Sequence, residues 1–427
     1  MSLDKIISAQ KDYFLSDITK DIITRQNALK KLEETILQNQ DAIILALSED
    51  LDQSKEDVSS DIRFILSVLR HTLSSLPRLM SPHKTKTPFS LLPGKSYIMN
   101  EPYGVVLVIA PWNDPFVLTM LPLIGALSAG NCAVVKTSSE SPHICSLFSE
   151  LFQKSFHTSY VYFADMQVSY DTLLNTSYDY IFFTGSERAG RIILRNASEF
   201  LTPVTLELGG KNPCIIEESA NFKKAALKIW RGKLKNAGQS CLAPDYVLVP
   251  QEKKEEFVSI LQTTLNELVI NPLNNEAYQR IANLHQFMRL KTLIQNESSV
   301  LGGAIDEKNF KIAPAIFPEV SFTSDIMKNE IMGPILPVLG YSDLEELISF
   351  LNHSSKPLAA YIFGSNMHHI EKIVTGFSFG GGCINDTMLH AQNPFLPFGG
   401  IGRSGMGVYH GLYTYQTFSH QKSILFK

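Results

Sequence analysis

The first residue that could do chemistry is a cysteine in a turn. Cys241 lies in NAGQSCLAPDY (236–246), after a predicted helix and before a predicted strand. A thiol at such a turn can be exposed, and the backbone N–H groups around it can favour the thiolate, which is the nucleophilic form. A lone cysteine is more often a small buried apolar residue, so this position alone leaves both interpretations open.

Glu207 is a carboxylate in an unusual place, inside the apolar run VTLELGGKNP (204–213) and directly before two glycines. A glutamate buried in such a run has a raised pKa and can serve as a general base near neutral pH. The run also alternates, with Thr205, Glu207 and Gly209 on one face, so Glu207 can equally face solvent on an edge strand. The sequence leaves both placements open.

Asn113 lies in APWNDPF (110–116), just past a predicted buried strand. In open parallel sheets, ligands bind beyond the carboxyl ends of the strands. A side-chain amide placed there can donate a hydrogen bond to a developing oxyanion. Asparagine is also an ordinary turn residue, so the position alone does not decide between the two roles.

Two glycine-rich segments compete as a dinucleotide site. GIGRSG (400–405) fits the spacing of a dinucleotide fingerprint, but no predicted strand precedes it and no long helix follows, so we interpret it as a loop. FFTGSERAG (182–190) lies between a predicted strand and a predicted helix, as phosphate binding at a helix N-terminus requires. There Gly185 permits a tight turn, Ser186 can cap the helix or bind a phosphate oxygen, and Gly190 ends the segment. A simple capped helix start is the alternative.

Two charged residues complete the candidates. Lys136 ends a predicted strand shortly before a helix, where its ammonium can bind a ribose hydroxyl or a phosphate, or simply face water. Glu330 precedes a Gly-Pro break in KNEIMGPILPV (328–338) and can bind a ribose or face solvent. The histidines lack partners at metal-ligand spacing, so we expect no metal site.

These candidates need a scaffold, and the hydrophobic pattern predicts one. Apolar residues recur at helical spacing over residues 1–80, and a connection rich in Pro, Ser, Thr and Lys follows at 81–94. Beyond it, short apolar runs alternate with helical segments, and a second alternating stretch follows from about residue 206. Strands that alternate with helices form a parallel sheet with crossover helices. We therefore expect an α/β protein with two parallel-sheet lobes, ending in a loop and an edge strand from residue 393.

Length and composition exclude several classes of protein. The chain has 427 residues, 44% of them hydrophobic and 19% charged, so a large buried core is expected and extensive disorder is not. The net charge of -4 argues against nucleic acid as a partner. Scattered cysteines, without a secretory signal, a prenylation box or a membrane anchor, predict a soluble cytoplasmic protein.

Taken together and in order, the motifs resemble those of one family. They are similar to the signature stretches of the aldehyde dehydrogenase superfamily, and the segments that carry the resemblance are APWNDPF, FFTGSERAG, LELGGK, GQSCLAPDY, EIMGPILPV and PFGGIGRSGMG. The APDY after the cysteine and VYHGLYTYQTFSH (408–420) resemble the class 3 branch, which contains fatty and aromatic aldehyde dehydrogenases. The resemblance runs from about residue 105 to the C-terminus. It implies the aldehyde dehydrogenase-like fold, with a dinucleotide-binding lobe, a catalytic lobe and a small β oligomerisation arm.

The resemblance also implies where these parts lie in the chain. Residues 1–80 and 104–206 would form the dinucleotide-binding lobe with its N-terminal helices, and residues 207–392 the catalytic lobe. Residues 81–103 and 393–427 would form the oligomerisation arm and the C-terminal segment. Members of this branch are usually dimers, so we expect a homodimer.

Each candidate residue acquires a role from the resemblance. Cys241 would be the nucleophile, Glu207 the general base, and Asn113, with the backbone N–H of Cys241, the oxyanion hole. The thiolate would add to an aldehyde, hydride would pass to a nicotinamide, and Glu207 would activate the water that hydrolyses the thioester. The residues implied to bind NAD or NADP are Lys136, Ser139, Gly185, Ser186, Gly190 and Glu330.

Ser139 departs from the family pattern, in which Lys-Pro-Ser-Glu commonly follows the second strand. The family's glutamate usually binds the adenosine ribose and repels a 2′-phosphate, so serine predicts that NADP is accepted alongside NAD. Four aromatic residues lie near the motifs: Phe116, Tyr246, Phe395 and Phe398. They predict an apolar tunnel for aliphatic or aromatic aldehydes, but each of them can equally be a core residue. Two other chemistries remain open, a CoA-acylating dehydrogenase and a cysteine acyltransferase or thioesterase without redox.

Overall fold

The computed structural model describes residues 2–427 of the chain. Its N-terminal part is helical, as the amphipathic pattern predicts. The side chain of Ser54 begins the longest of these helices by accepting the N–H of Asp57 (3.1 Å). The four helices are α1 (Leu3–Leu15), α2 (Ile22–Gln38), α3 (Gln40–Leu51) and α4 (Lys55–Met80).

The expected connection at 81–94 is not wholly irregular, because it contains the short strand β1 (His83–Thr85). That strand pairs in antiparallel fashion with β2 (Lys95–Pro102). The two strands begin a small sheet that the C-terminus completes.

The first sheet is parallel and lies in the core. Residues 105–109 and 132–136 are buried without exception, as strands covered by helices on both faces must be. The strands lie in the order β7-β6-β3-β4-β5, and neighbours are parallel. The elements are β3 (Val105–Ile109), α5 (Val117–Ala129), β4 (Cys132–Lys136), α6 (Pro142–Ser155), β5 (Val161–Phe163), α7 (Tyr170–Leu174), β6 (Tyr180–Gly185), α8 (Glu187–Glu199) and β7 (Val204–Leu208).

The second lobe is built on a seven-stranded sheet, in which only the strand at one edge is antiparallel to its neighbour. The strands lie in the order β10-β13-β14-β9-β8-β15-β16. The elements are β8 (Pro213–Ile216), α9 (Phe222–Leu234), β9 (Tyr246–Pro250), α10 (Lys254–Leu268), α11 (Leu284–Asn296), β10 (Leu301–Gly302), β11 (Ile305–Asp306), β12 (Lys311–Ile312), β13 (Ala315–Phe317), α12 (Asp325–Lys328), β14 (Ile335–Tyr341), α13 (Leu344–His353), β15 (Ala359–Phe363), α14 (Met367–Gly376) and β16 (Gly381–Ile384).

The C-terminal segment adds one strand to the first sheet and one to the small sheet that contains β1 and β2. Its elements are β17 (Gly405–Met406), α15 (Leu412–Thr417) and β18 (Ser419–Phe426). Strand β17 joins the first sheet by antiparallel pairing with β7, and β18 pairs with the full length of β2. The edge strand agrees with the expectation, whereas the short helix α15 was not expected.

The prediction of an α/β fold with two parallel-sheet lobes and a small β arm is confirmed. The border expected between residues 206 and 207 falls inside β7, so Glu207 lies on the first sheet together with Leu206. Within residues 2–427, no helix combines the length and the apolar character needed to cross a bilayer.

Candidate active site

One cavity receives side chains from both lobes. It has a volume of about 230 Å³ and lies where the first sheet meets the loop before β9. Asn113 follows the carboxyl end of β3, Glu207 lies near the carboxyl end of β7, and Cys241 comes from the second lobe. All three side chains line this cavity. The structure therefore brings together the three residues that the sequence singled out for chemistry.

A tight turn after α9 presents Cys241 to the cavity. Asn236 and Ala237 have positive φ angles (52° and 49°), and the amide of Asn212 donates to the Cys241 carbonyl (2.7 Å). The turn also approaches Gly333 closely, because a Cβ on Gly238 would lie 2.3 Å from the Gly333 carbonyl oxygen. The backbone around Cys241 is thus fixed by the second lobe, and its side chain is half-buried.

The surroundings of the Cys241 thiol keep it protonated. Burial raises its pKa most, and the nearby carboxyl groups of Glu330, Glu207 and Asp114 raise it further. The backbone N–H of Cys241 lowers the pKa, as the turn predicts, but this effect is smaller than the others. In this state of the protein the nucleophilic thiolate is therefore a minor form.

Glu207 is buried, so it does not face solvent on an edge strand. Its residue is 3% exposed, with Thr184 of β6 on one side and Gly405 of β17 on the other. Neither carboxyl oxygen has a hydrogen-bond partner within residues 2–427. Burial without a partner raises the pKa of this carboxyl well above its usual 4.5.

Asn113 is tied to the turn that carries the cysteine. Its Nδ2 donates to the carbonyl of Gln239 (3.0 Å), and its own carbonyl accepts from Nδ2 of Asn236 (2.7 Å). The residue is buried yet lines the cavity. Since Nδ2 carries two N–H groups and Gln239 takes one, the second remains to be donated.

Lys136 and Ser139 lie at the carboxyl end of β4, in different environments. Lys136 is buried, and its ammonium donates to the carbonyl of Asp165 (2.5 Å). Burial lowers its pKa, whereas Cys145 and Asp165 oppose that effect. Ser139 is exposed. A buried ammonium at a strand end suits a ribose hydroxyl or a phosphate oxygen, and an exposed hydroxyl beside it can reach a larger substituent.

The segment 185–190 has the form of a capped helix start. Gly185 ends β6, and the Ser186 hydroxyl accepts the N–H of Ala189 (3.3 Å) at the beginning of α8. Gly190 permits close packing of α8 on β7, because a Cβ there would lie 2.8 Å from the side chain of Leu208. Other N–H groups of this first turn point out of the helix and can meet a phosphate, so the cap and the phosphate site are compatible.

Glu330 carries a buried acceptor without a partner. Its Oε1 is buried and has no hydrogen-bond partner in the described part of the chain. Burial and the neighbouring Asp245 raise its pKa to about 8. A Cβ on Gly209 would lie 1.8 Å from Oε2, so glycine is required for the carboxyl to occupy this place. A buried acceptor without a partner is costly, so a ribose hydroxyl that donates to Oε1 would be favoured.

An ion pair holds the loop that carries Glu330. Lys211, just before β8, forms a salt bridge with Asp245, just before β9. Asp245 also accepts the N–H of Ile331 (2.9 Å), and Lys211 donates to the carbonyl of Asn329 (3.1 Å). Both bonds reach immediate neighbours of Glu330, so the pair restricts where its carboxyl can lie.

Of the four aromatic residues expected in a tunnel, only Phe398 lines the cavity. Phe116 and Tyr246 are core residues, because Phe116 packs beside Phe148 (ring centroids 6.3 Å apart) and Tyr246 begins a fully buried strand. Phe395 is exposed and meets the ring of His71 (6.0 Å). The aromatic side chains that line the cavity without having been expected are Phe64 and Tyr409.

Part of the cavity wall is charged, which the sequence motifs do not indicate. Asp61 of α4, Asp114 beside Asn113, and Lys235 after α9 all line the cavity. Asp61 gave no signal, since a charged residue on an amphipathic helix normally faces water. Asp114 directly follows the candidate residue Asn113, and only this adjacency indicates that it could lie near the site.

The whole chain matches proteins of one kind. The model of the aldehyde dehydrogenase family matches residues 2–424. The 4,4'-diaponeurosporen-aldehyde dehydrogenase of Staphylococcus aureus is 42% identical over 98% of this chain and 92% of its own length. The dimeric, NADP-preferring aldehyde dehydrogenase of Rattus norvegicus is 36% identical over 100% of this chain and 95% of its own. Further relatives at 36–37% identity are named members of aldehyde dehydrogenase family 3.

The solved structures give the same result. The substrate-bound state of Staphylococcus aureus AldH superposes with a TM-score of 0.97, at 41% identity, over 100% of this chain and 94% of that chain. The two-lobed fold is therefore shared over the full length of the chain.

Proposed function

Because this chain belongs to the aldehyde dehydrogenase family, we propose that it oxidises an apolar aldehyde to the carboxylic acid, with Cys241 as nucleophile and Glu207 as general base. Family membership makes the protein an NAD(P)-dependent aldehyde dehydrogenase, and the resemblance to class 3 is confirmed by its family 3 relatives. The observation that supports the residue roles is the single cavity lined by Cys241, Glu207 and Asn113.

The first step makes the aldehyde carbon able to release hydride. The Cys241 thiol first loses its proton to solvent, and addition of the thiolate sulfur then converts the planar carbonyl into a tetrahedral thiohemiacetal whose oxygen carries negative charge. Asn113 donates its second amide N–H to that oxygen, and the backbone N–H of Cys241 donates as well. Each such donor contributes about 3 kcal/mol to the stability of the transition state.

The second step is the redox step. The oxyanion re-forms the carbonyl and the C–H bond breaks, which leaves a thioester on Cys241. A bound dinucleotide would supply the hydride acceptor. Lys136, Glu330 and the N-terminus of α8 would hold it.

The third step returns the enzyme to its starting state. Glu207 takes a proton from water, the resulting hydroxide adds to the thioester, and the thiolate of Cys241 leaves as the acid forms. A carboxyl with a pKa far below neutrality would be a weak base, so the raised pKa of Glu207 suits this task. No observation favours transfer to CoA or a reaction without redox.

We also propose that NADP is accepted alongside NAD. Ser139 is exposed at the carboxyl end of β4, and Glu140, the next residue, is engaged by the amide of Asn283 (2.8 Å). A 2′-phosphate would then meet a hydroxyl at position 139 rather than a carboxylate. The rat relative named as NADP-preferring supports this proposal. A preference for NAD greater than about a thousandfold in kcat/KM would contradict it.

The substrate class follows from the cavity wall. Much of the wall is apolar, and the side chains that form it include Val117, Leu118, Leu121, Leu242, Leu358 and Phe398. Such a wall favours aliphatic or aromatic aldehydes over small polar ones. The relative named for a diaponeurosporen aldehyde supports an apolar substrate for this chain as well.

The arm strands β2 and β18 support a proposal about assembly. They form an eight-residue antiparallel ladder that stands outside both main sheets. We propose that this arm contributes to a homodimer, in line with the relative named as dimeric. We also propose that the first sheet with α1–α4 is the dinucleotide-binding lobe and the second sheet the catalytic lobe. The cytoplasm remains the compartment that we expect for this protein, because its cysteines are scattered and unpaired.

The test is an absorbance assay of the reduced nicotinamide with a panel of aliphatic and aromatic aldehydes. Cys241→Ser should abolish turnover while NAD binding persists, because serine is a much weaker nucleophile than a thiolate. Cys383→Ser is the matched control, since Cys383 is a half-exposed thiol outside the cavity wall, and it should retain activity. Turnover by Cys241→Ser at the unaltered rate would refute the proposed role.

A further inference from the structure

Gln239 lies in residues 236–241, which we call the cysteine turn, and its side chain is fully buried (0% exposed). Its Nε2 donates to the carbonyls of Asn236 (3.1 Å) and Arg280 (3.0 Å), and its Oε1 accepts the N–H of Ala282 (2.9 Å). Both N–H groups of the amide and its oxygen are thus bonded to backbone. The side chain cannot rotate without losing at least one of these bonds in a place that water does not reach.

The main-chain carbonyl of Gln239 faces the first lobe. It accepts Nδ2 of Asn113 (3.0 Å) and Nδ2 of Asn236 (3.2 Å). Asn113 follows β3 of the first lobe, whereas Gln239 follows α9 of the second. An amide group is planar, so a bond to one N–H of Nδ2 restricts the direction of the other. The place of this carbonyl therefore limits where the second N–H of Asn113 points.

The segment that holds the glutamine side chain is itself bonded to the first lobe. Nη2 of Arg280 donates to two carbonyls at the end of α3, those of Glu49 (2.6 Å) and Asp50 (3.0 Å). Residues 280–282 thus join the cysteine turn to a helix of the first lobe. Because Asn113 also belongs to the first lobe, its bond to the cysteine turn is supported by a second route through Arg280.

We propose that Gln239 is a positioning residue for the oxyanion hole. Its side chain fixes its own carbonyl, and that carbonyl directs the amide of Asn113. Gln239 acts through Asn113 and needs no contact with the substrate. The inference rests on the proposed function, in which Asn113 donates to the oxygen of the thiohemiacetal. A misplacement of about 1 Å can cost a factor of about 100 in rate, so loss of the side-chain bonds should slow hydride transfer although every oxyanion donor is retained.

Two substitutions of Gln239 test the role of its side chain. Gln239→Glu keeps the shape and the acceptor for Ala282 but replaces the NH₂ group by oxygen, and Gln239→Met removes all three bonds without adding a charge. With saturating NAD and hexanal, stopped-flow absorbance should show a hydride burst slower by about tenfold to a hundredfold in both variants. The Kd for NAD, measured by protein fluorescence, should be unchanged.

Gln10→Met is the matched control. Gln10 is as fully buried as Gln239, and its Nε2 also donates to two carbonyls, those of Ala133 (3.1 Å) and Thr158 (3.1 Å). Loss of these bonds should lower the free energy of unfolding, as in Gln239→Met, while the burst and the Kd for NAD stay unaltered. Urea unfolding of every variant separates a lower stability from a slower burst.

A double variant distinguishes the positioning of Asn113 from any other effect of Gln239. Gln239→Met is combined with Asn113→Ala, which already lacks the amide. If Gln239 acts through Asn113, the added substitution should slow the burst by no more than about twofold, which is the usual tolerance of additivity. Should Gln239→Met not fold, the same pair is made with Gln239→Glu.

Four outcomes would overturn the inference: an unaltered burst in the folded Gln239 variants, equal slowing with and without the Asn113 amide, a weakened Kd for NAD, or the same slowing in Gln10→Met. The proposed function would still stand in each case if Asn113→Ala slows the burst by itself. An unaltered burst in Asn113→Ala would instead refute the proposed role of Asn113 in the oxyanion hole.

Discussion

Replacement of Glu207 by glutamine separates the chemical step that needs a base from the step that does not. The variant keeps the size of the side chain, removes the ability to take a proton from water, and leaves Cys241 and Asn113 in place. The first release of reduced nicotinamide should therefore persist, while steady-state turnover falls by about 10²–10⁴-fold, the usual contribution of a positioned general base. Stopped-flow absorbance resolves the two phases.

The burial of Glu207 also makes the free energy of unfolding depend on pH. Its folded pKa lies well above the ordinary 4.5, so the folded state holds a proton that the unfolded state releases as pH rises above that value. Stability is therefore fully present below about pH 4.5 and is lost as pH rises toward the folded pKa. The loss reaches about 1.4 kcal/mol per pH unit at its steepest. The glutamine variant does not titrate there and should escape it.

Urea unfolding of both proteins across the acid to neutral range measures this difference. The free energy of unfolding of the unaltered protein, minus that of Glu207→Gln, should decrease as pH rises. Hydrolysis should show the opposite trend in the unaltered protein, with kcat increasing with pH as Glu207 ionises. A difference in stability that is flat with pH would refute the burial argument. A burst lost together with turnover would refute the assignment of Glu207 to the last step.

Three further predictions concern neighbouring residues. Asn113→Ala should slow the hydride burst by about 10²–10³-fold, because it removes one oxyanion donor; an unchanged burst would remove Asn113 from the oxyanion hole. Gly209→Ala should raise the KM for NAD by about tenfold or more, because its Cβ would displace the Glu330 carboxyl that lies 1.8 Å away; an unchanged KM would show that Glu330 does not bind the dinucleotide. Ser139→Glu should lower kcat/KM for NADP more than for NAD through repulsion of the 2′-phosphate, and equal losses for both would contradict the proposed site.

Short-range patterns were sufficient to predict the first sheet and to select three residues that line one cavity. The runs at 105–109 and 132–136 are continuous and apolar, and such runs are typical of strands buried on both faces. Cys241, Glu207 and Asn113 each carried little information alone, and their order along the chain gave the resemblance. The periodicity did not determine whether the Glu207 side chain is buried or exposed, because an alternating run does not show which face of the strand meets solvent.

Long-range packing decided the remaining features. Strand β14 contains Pro337, a residue that usually argues against a central strand, yet it lies between β13 and β9. Phe116 and Phe398 are both aromatic residues within motifs, but only the fold determines that one is in the core and the other on the cavity wall. Asp61 reaches the cavity because α4 packs beside α5, and nothing in the local sequence indicates that arrangement.

The most direct test of the account is to identify the atom that carries the acyl group. Glu207→Gln, mixed with NAD and an aliphatic aldehyde and quenched with acid after the burst, should accumulate the thioester because its hydrolysis is slow. Peptide mass spectrometry should then find the acyl mass on the peptide that contains Cys241 and on no other cysteine peptide. A full burst with the acyl group on another residue, or with none bound to the protein, would contradict the central claim.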